Sequence, residues 1–213
     1  MSTHIYAFGS VCRGEVFHNS DVDLLAIVDG RDERFNPEIF SIYSSERMHA
    51  LWNEGNPFAW HLALEARLLF STEPIDLLSS FGSPKPYLKC AEDCMKFMHL
   101  FDEAHGFLLS QKSSNVFDLS MVFLSIRNMA TCFSLGITEQ PTFSRRSALE
   151  LGRDSAPLSE HAYTVLEQAR VLCTRGYGLV PTKKEIQSTV GELPAVKQWM
   201  TNLMRRVKEY ERV

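Results

Sequence analysis

The run "DVDLLAIV" opens on two aspartates one residue apart, Asp21 and Asp23, at the head of an apolar segment. In a strand, residues i and i+2 share a face, so the two carboxylates would converge while Val22 and Leu24 point the other way. Such a pair repels unless it is protonated, hydrogen-bonded or bridged by a cation, and converging carboxylate oxygens are the ligands Mg²⁺ prefers. The bland alternative is a turn pair following Asn19-Ser20, a place where Asp is common. Upstream, Gly9-Ser10 follows a short apolar run and precedes what reads as a short helix beginning near Val11. Gly lets the backbone approach a ligand closely, and the N–H groups of a helix start, with the Ser hydroxyl, can hold phosphate oxygens. Arg13, one turn further on, would add charge-assisted bonds to the same phosphates.

Further candidates lie in "NPFAWHLALEARLLF", where His61 and Glu65 are four apart and share a face if the segment is helical. They would make an acid/base pair, with the carboxylate orienting the imidazole, against the alternative of a surface His beside a solvated Glu. Cys90, Cys94 and His99 on one apolar stretch lack a second ligand cluster, so they read as core thiols and a surface His rather than a zinc site.

The elements that must position these groups follow from periodicity. Ile5 to Phe8 and Asp23 to Val28 read as short buried strands, with Asp29-Gly30 as the turn of a hairpin into Glu38 to Tyr43. Ser44 or Ser45 caps a helix over "SERMHALWNEG", Gly55 stops it, and a second helix, Pro57 to Ala66, feeds a last strand at "RLLFS". Ser, Gly and Pro in "SSFGSPKPY" mark a linker. Beyond it the apolar spacing changes to three and four. A stripe of Tyr87, Cys90, Cys94, Phe97, Phe101, Ala104 and Leu108 predicts a long helix, and "VFDLSMVFLSIRNMATCFSLG" reads as the central helix of a bundle. Further helices are expected at "FSRRSALELG", at "PLSEHAYTVLEQARVLCTRG" and at the C-terminus, where Val196, Trp199, Met200, Leu203, Val207 and Tyr210 line one face. The expected fold is α+β: a small mixed sheet with helices over residues 1–82, then an antiparallel helical bundle over 85–213.

Of the 213 residues, 45% are hydrophobic and 23% charged, which suits compact domains rather than disorder. The net charge of −4 conceals an asymmetry: residues 1–82 carry 5 Arg, no Lys and 12 acids, and the remainder 17 basic residues against 14 acids. An acidic N-terminal part argues against nucleic acid as its main partner and accommodates metal ions or a basic substrate. Neither a secretory leader nor a bilayer-spanning run is read from the sequence, and five scattered cysteines fit reduced thiols, so a cytoplasmic protein without a membrane partner is expected. The apolar bundle could support a homodimer, although burial within one chain explains the same stripes.

Taken together, "GSVCRGEVFHNSDVDLLAIV" resembles the Gly-Ser…Asp-x-Asp signature of the DNA polymerase β-like nucleotidyltransferases, matching at Gly9, Ser10, Arg13, Gly14, Ser20, Asp21 and Asp23. The resemblance implies that Gly9, Ser10, Arg13 and Ser20 hold a nucleotide and that Asp21 and Asp23 bind Mg²⁺ at its triphosphate. Transfer of a nucleoside monophosphate to an acceptor, with pyrophosphate leaving, is then the expected reaction. The acceptor would be a small molecule such as an aminoglycoside, or a protein. Active members usually carry a third carboxylate on the next strand; "PEIFSIYS" offers only Glu38, at its start. The segment around His61 and Glu65 also looks similar to a helix of some relatives, "F-x-x-H-L-x-x-E-G", with Ala66 in place of the Gly. "RNMATC", Arg127 to Cys132, lies where HEPN ribonucleases carry Arg and then His; Cys132 instead of His disfavours that activity. The missing strand carboxylate supports a second reading, a nucleotide-binding or regulatory module of reduced activity, one half of a toxin–antitoxin-like pair.

Overall fold

The apolar run at the N-terminus forms β1 (Thr3–Phe8) and "DLLAIV" forms β2 (Asp23–Val28), antiparallel from Thr3↔Val28 to Phe8↔Asp23. The structure, a computed structural model, describes residues 2–15, 22–30, 32–110, 114–138 and 140–210. Two further strands, β3 (Phe40–Tyr43) and β4 (Arg67–Ser71), complete a mixed sheet of order β3-β2-β1-β4. β4 runs antiparallel to β1.

The β2 to β3 connection differs from the expected hairpin. β3 pairs with β2 in parallel, Leu24↔Phe40 to Ile27↔Tyr43, so the chain must cross over before re-entering the sheet. Gly30 does turn the backbone, at φ 90°, but residues 32–39 then fold on themselves through Phe35 N–H to Asp32 O and Ile39 N–H to Asn36 O. Phe35 packs with Ala26 and Val28, so the crossover buries one face of the sheet. A two-residue turn would have left that face bare, and the turn chemistry was overridden by burial.

The other face carries Tyr6, Phe8, Leu25 and Ile27. They pack against Met48, Leu51 and Trp52 of α1 (Ser45–Asn53), Ala59 and Leu62 of α2 (Pro57–Glu65) and Leu78 of α3 (Leu77–Ser80). Ser44 caps α1 by accepting from Arg47 N–H, and Asn56 caps α2 by accepting from Phe58 N–H, with Pro57 in the first turn. The buried Tyr6 phenol donates to Asp76 Oδ1 at 2.8 Å and accepts from Leu78 N–H at 3.1 Å, fixing α3 beneath the sheet.

The segment that reads as a linker is instead strapped down. Trp52 Nε1–H donates to Gly82 O, Trp60 Nε1–H to Lys85 O, and Lys85 N–H to Trp52 O. The chain divides into two compact units: Met1–Leu88 with Phe143–Arg145, and Lys89–Thr142 with Arg146–Val213.

The second unit is built on α4 (Cys90–Ser110), α5 (Asn115–Ile137), α6 (Glu160–Arg175) and α7 (Lys183–Tyr210). Neighbouring helices are antiparallel: Cys90 Sγ reaches Cys132 O, Arg170 Nη1 reaches Ser120 Oγ, and Asp102 pairs with Lys197. α5 is long and apolar enough to cross a membrane by length and composition, and 67% of its most apolar window is buried, the position of a core helix. Two expectations fail here. Tyr210 stands exposed at the end of the otherwise buried α7 stripe, and "FSRRSALELG" forms two short 3₁₀ turns, Ser147–Leu149 and Gly152–Asp154, rather than a helix. Its local periodicity yields to tertiary bonds such as Ser147 Oγ–H to Arg127 O at 3.0 Å.

Gly55 closes α1 at φ 63°, and a Cβ there would stand 2.3 Å from Pro86 O and 2.6 Å from Lys85 O. Gly55→Ala is therefore expected to destabilise the protein by about 1–3 kcal/mol, through positive φ and the lost close approach. Denaturant unfolding followed by tryptophan fluorescence measures this directly.

Candidate active site

Gly9 ends β1 at φ 76° and begins a 3₁₀ turn, Gly9–Val11, closed by Cys12 N–H to Gly9 O and Gly14 N–H to Val11 O. The helix start expected near Val11 is thus a single tight turn beginning at Gly9. Because Phe8 pairs with Asp23, the first residue of β2 lies beside this turn. A Cβ built on Gly9 would fall 2.3 Å from Asp23 Oδ2, so the aspartate oxygen occupies the space that any other residue would fill. Glycine is required here on two grounds, conformation and close approach. Asp23 is exposed, and it lines a cleft of about 410 Å³ with Glu38, Ser41, Pro37, Ile39 and Phe40.

Ser20 and Asp21 lie outside the described residues, so the sharing of one face by the two aspartates is an expectation on which the geometry is silent. Glu38 precedes β3, is exposed, and lines the same cleft as Asp23. β3 itself carries no acid. The residue that alternation sets on the Asp23 face of that strand is Ser41, opposite Leu25.

At the end of α2, His61 Nε2 lies 2.9 Å from Glu65 Oε2, as helical spacing predicts. Glu65 also accepts from Arg13 Nη1 at 2.5 Å, and Arg13 Nη2 donates to Glu15 at 2.9 Å. Arg13, expected to face phosphates, is thus held between two carboxylates. Burial pushes the Glu65 carboxyl upward, but the His61 hydrogen bond and charge and the Arg13 guanidinium outweigh it and hold the group below the usual carboxylate range. Arg13 moves up: burial opposes its charge, and the bonds to Glu15 and Glu65 more than compensate. Burial raises the Cys12 thiol, which also feels Arg67, Glu65, Arg13 and Asp23; the turn residue lies within electrostatic reach of both ends of the site.

Phe143 was not singled out by sequence reasoning. It is buried within the first unit and stacks flat on His61, with ring centroids 4.7 Å apart and planes 8° from parallel, while Phe8 meets the same imidazole edge-on at 5.5 Å. No spacing rule connects Phe143 to α2, so only the fold reveals it. Ser10 is half-buried in the turn. Among the described residues, no group of three or more His, Cys, Asp or Glu is gathered as a metal-binding set.

The N-terminal unit is thus an α+β domain, a small mixed sheet with a Gly-Ser turn set against an aspartate at the head of the neighbouring strand. Residues 2–84 match the family model described as "Nucleotidyltransferase domain", and the N-terminal unit is a nucleotidyltransferase domain of the polymerase β-like kind. No curated protein matches the chain.

Because Glu65 is depressed in the fold, its contribution to stability is complete above the ordinary carboxylate range and is lost as pH falls through its lowered folded value. Glu65→Gln should therefore flatten the acid limb of the stability curve below about pH 4.5. At neutral pH it should cost about 1–3 kcal/mol by leaving Arg13 and His61 short of a partner. Thermal unfolding of both proteins across pH 3–7 reads out the two effects.

Proposed function

We propose that the protein is a Mg²⁺-dependent nucleotidyltransferase that moves a nucleoside monophosphate from a nucleoside triphosphate to a hydroxyl of a small molecule, such as an aminoglycoside, or of a protein. The observation that carries this reading is the Asp23 carboxylate lying against the Gly9 backbone, inside a segment that matches a nucleotidyltransferase domain. An exposed carboxylate that lines a cleft suits a hard divalent cation. Asp23 with Asp21 would hold the metal, which when bound neutralises triphosphate charge. Gly9 and Ser10, with Ser20, would cradle the phosphates through backbone N–H groups and hydroxyls.

The pair on α2 has a defined polarity. Glu65, held ionised, can only accept, so the hydrogen bond places a proton on His61 Nε2 and leaves Nδ1 as the nitrogen that can exchange one. In the proposed reaction Nδ1 takes the acceptor's hydroxyl proton, the acceptor oxygen bonds to the α-phosphorus, and the bond to pyrophosphate breaks. Glu65 and Phe143 act by fixing the ring.

A second reading, a nucleotide-binding or regulatory module of the toxin–antitoxin kind, draws support from two observations. β3 carries no acid, and Arg13 is committed to Glu65 and Glu15.

Incubation with α-labelled ATP, GTP, CTP or UTP, Mg²⁺ and either an aminoglycoside panel or cell lysate distinguishes the two. The enzyme reading expects label transfer with pyrophosphate release, reduced about 100-fold or more by Asp21→Ala or Asp23→Ala and by about 100-fold in His61→Ala. Gly9→Ala should lose transfer as Asp23→Ala does, because its Cβ displaces Asp23 Oδ2. Metal-dependent nucleotide binding without transfer to any acceptor would instead establish the module.

A further inference from the structure

The strand order β3-β2-β1-β4 lays out a charge gradient across one end of the sheet. β2 and β4 both run antiparallel to β1, and β3 runs parallel to β2, so β3, β2 and β4 all start at the end where β1 enters the Gly9 turn. The register joins Phe40, Leu24, Ala7 and Arg67 in one cross-strand row. Neighbouring strands lie about 4.8 Å apart, so the turn is flanked closely by Asp23 at the head of β2 and by Arg67 at the head of β4. The β2 and β3 side is acidic, with Asp23 and Glu38 lining one cleft. The β4 side carries a guanidinium.

Arg67 is exposed, its Nη1 donates to the adjacent Ala66 O at 3.1 Å, and it has no carboxylate partner among the described residues. Arg13, Arg34 and Arg47 are all ion-paired. Arg67 leaves the sheet on the face of Ala7, opposite Asp23, and its long side chain brings the charge back toward the strand end. Burial is what mainly raises the Cys12 thiol, but Arg67 pulls it down and Asp23 pushes it up, so both flanking charges reach the turn.

We propose that Arg67 takes the β- and γ-phosphates of the nucleotide, so that a triphosphate lies across the turn with its α-phosphorus on the Asp23 side and its tail on the β4 side. This rests on the nucleotidyltransferase reading above and adds the direction in which the substrate lies. The gradient sets that direction, because the tail carries most of the negative charge and is repelled by Asp23 and Glu38. A guanidinium matches phosphate oxygens with paired N–H donors, and one bonded only to a neighbouring carbonyl gives up little on turning to them. As the acceptor oxygen bonds to the α-phosphorus, the bond to the leaving oxygen breaks and its electron pair goes to pyrophosphate. Arg67 then stabilises the charge that gathers there. One guanidinium offsets one charge of several, so it orients the tail and leaves most of the neutralisation to the metal.

The test is calorimetric titration of the full-length protein, in Mg²⁺, with the α,β-methylene analogues of ATP, GTP, CTP and UTP, with inorganic pyrophosphate, and with the matching nucleoside monophosphates. Arg67→Ala should weaken the triphosphate analogue and pyrophosphate by about tenfold or more, and the monophosphate by less than about twofold. Arg67→Lys, which keeps the charge, should recover part of that loss, and Arg67→Glu should exceed it. Arg67→Gln, closer in length, replaces the alanine variant if circular dichroism shows that alanine costs the fold. Equal losses for triphosphate and monophosphate overturn the assignment, as does triphosphate binding indifferent to the substitution. Arg67 would then be a charge that blunts an edge strand, with the nucleotidyltransferase reading intact. A wild type that binds none of the triphosphates overturns both.

Discussion

The N-terminal site is organised by one forbidden volume: the space beside Gly9 Cα, occupied by Asp23 Oδ2. Everything local follows from it. β1 must end in a residue free to adopt φ 76°, the following residues must turn at once into a 3₁₀ loop, and β2 must begin with its acid at the level of Phe8. The antiparallel register of β1 and β2 delivers that alignment, and the core residues Tyr6, Leu25 and Ile27 maintain it by packing on α1 and α2. A one-residue slip would turn Asp23 to the opposite face of the sheet and bring Leu24 beside the turn.

A second chain of contacts anchors the far side of the same turn. Arg13 reaches Glu65, Glu65 holds His61, and His61 is pressed between the flat face of Phe143 and the edge of Phe8. A partly buried arginine shared by two carboxylates is costly to displace, because removing one partner leaves charge behind with less solvent to compensate. Arg13 therefore anchors the far end of the Gly9–Val11 turn to α2.

Much of this was legible in the sequence, and the failures share a cause. "DLLAIV", "RLLFS" and the capped helix after Ser44 carry their own boundaries, since strand periodicity, Ser and Asn caps and Gly stops act over a few residues. His61 and Glu65 met because four residues is one helical turn. The direction of β3 was not local information: Asp29-Gly30 turns in either topology, and Phe35 decides by burying itself on Ala26 and Val28. The ordering of 82–86 rests on two indole N–H groups that find carbonyls 25 and 30 residues away. Phe143 is the same case at the site. A buried ring at a distant position has no pattern until the fold supplies its neighbour.

The charge inventory bears on how such a site could meet a triphosphate. Residues 1–82 hold no lysine and five arginines. Arg13 is shared by Glu15 and Glu65, Arg34 is paired with Asp32, and Arg47 with Glu54, while Arg67, beside Ala7 on β4, is felt at the Cys12 thiol and Arg31 lies outside the described residues. Arg145, in the segment that clusters with this unit, is itself engaged. A triphosphate approaching Gly9-Ser10 would thus meet backbone N–H groups and carboxylates, with Arg67 the one described guanidinium of residues 1–82 that is near the turn and not ion-paired. Backbone dipoles can orient such an anion but cannot neutralise several negative charges next to Asp23. The deficit is of the sign and size that a divalent cation supplies, which is why the acidic composition of this unit favours a nucleotide arriving with its metal over a phosphate clamp made of side chains.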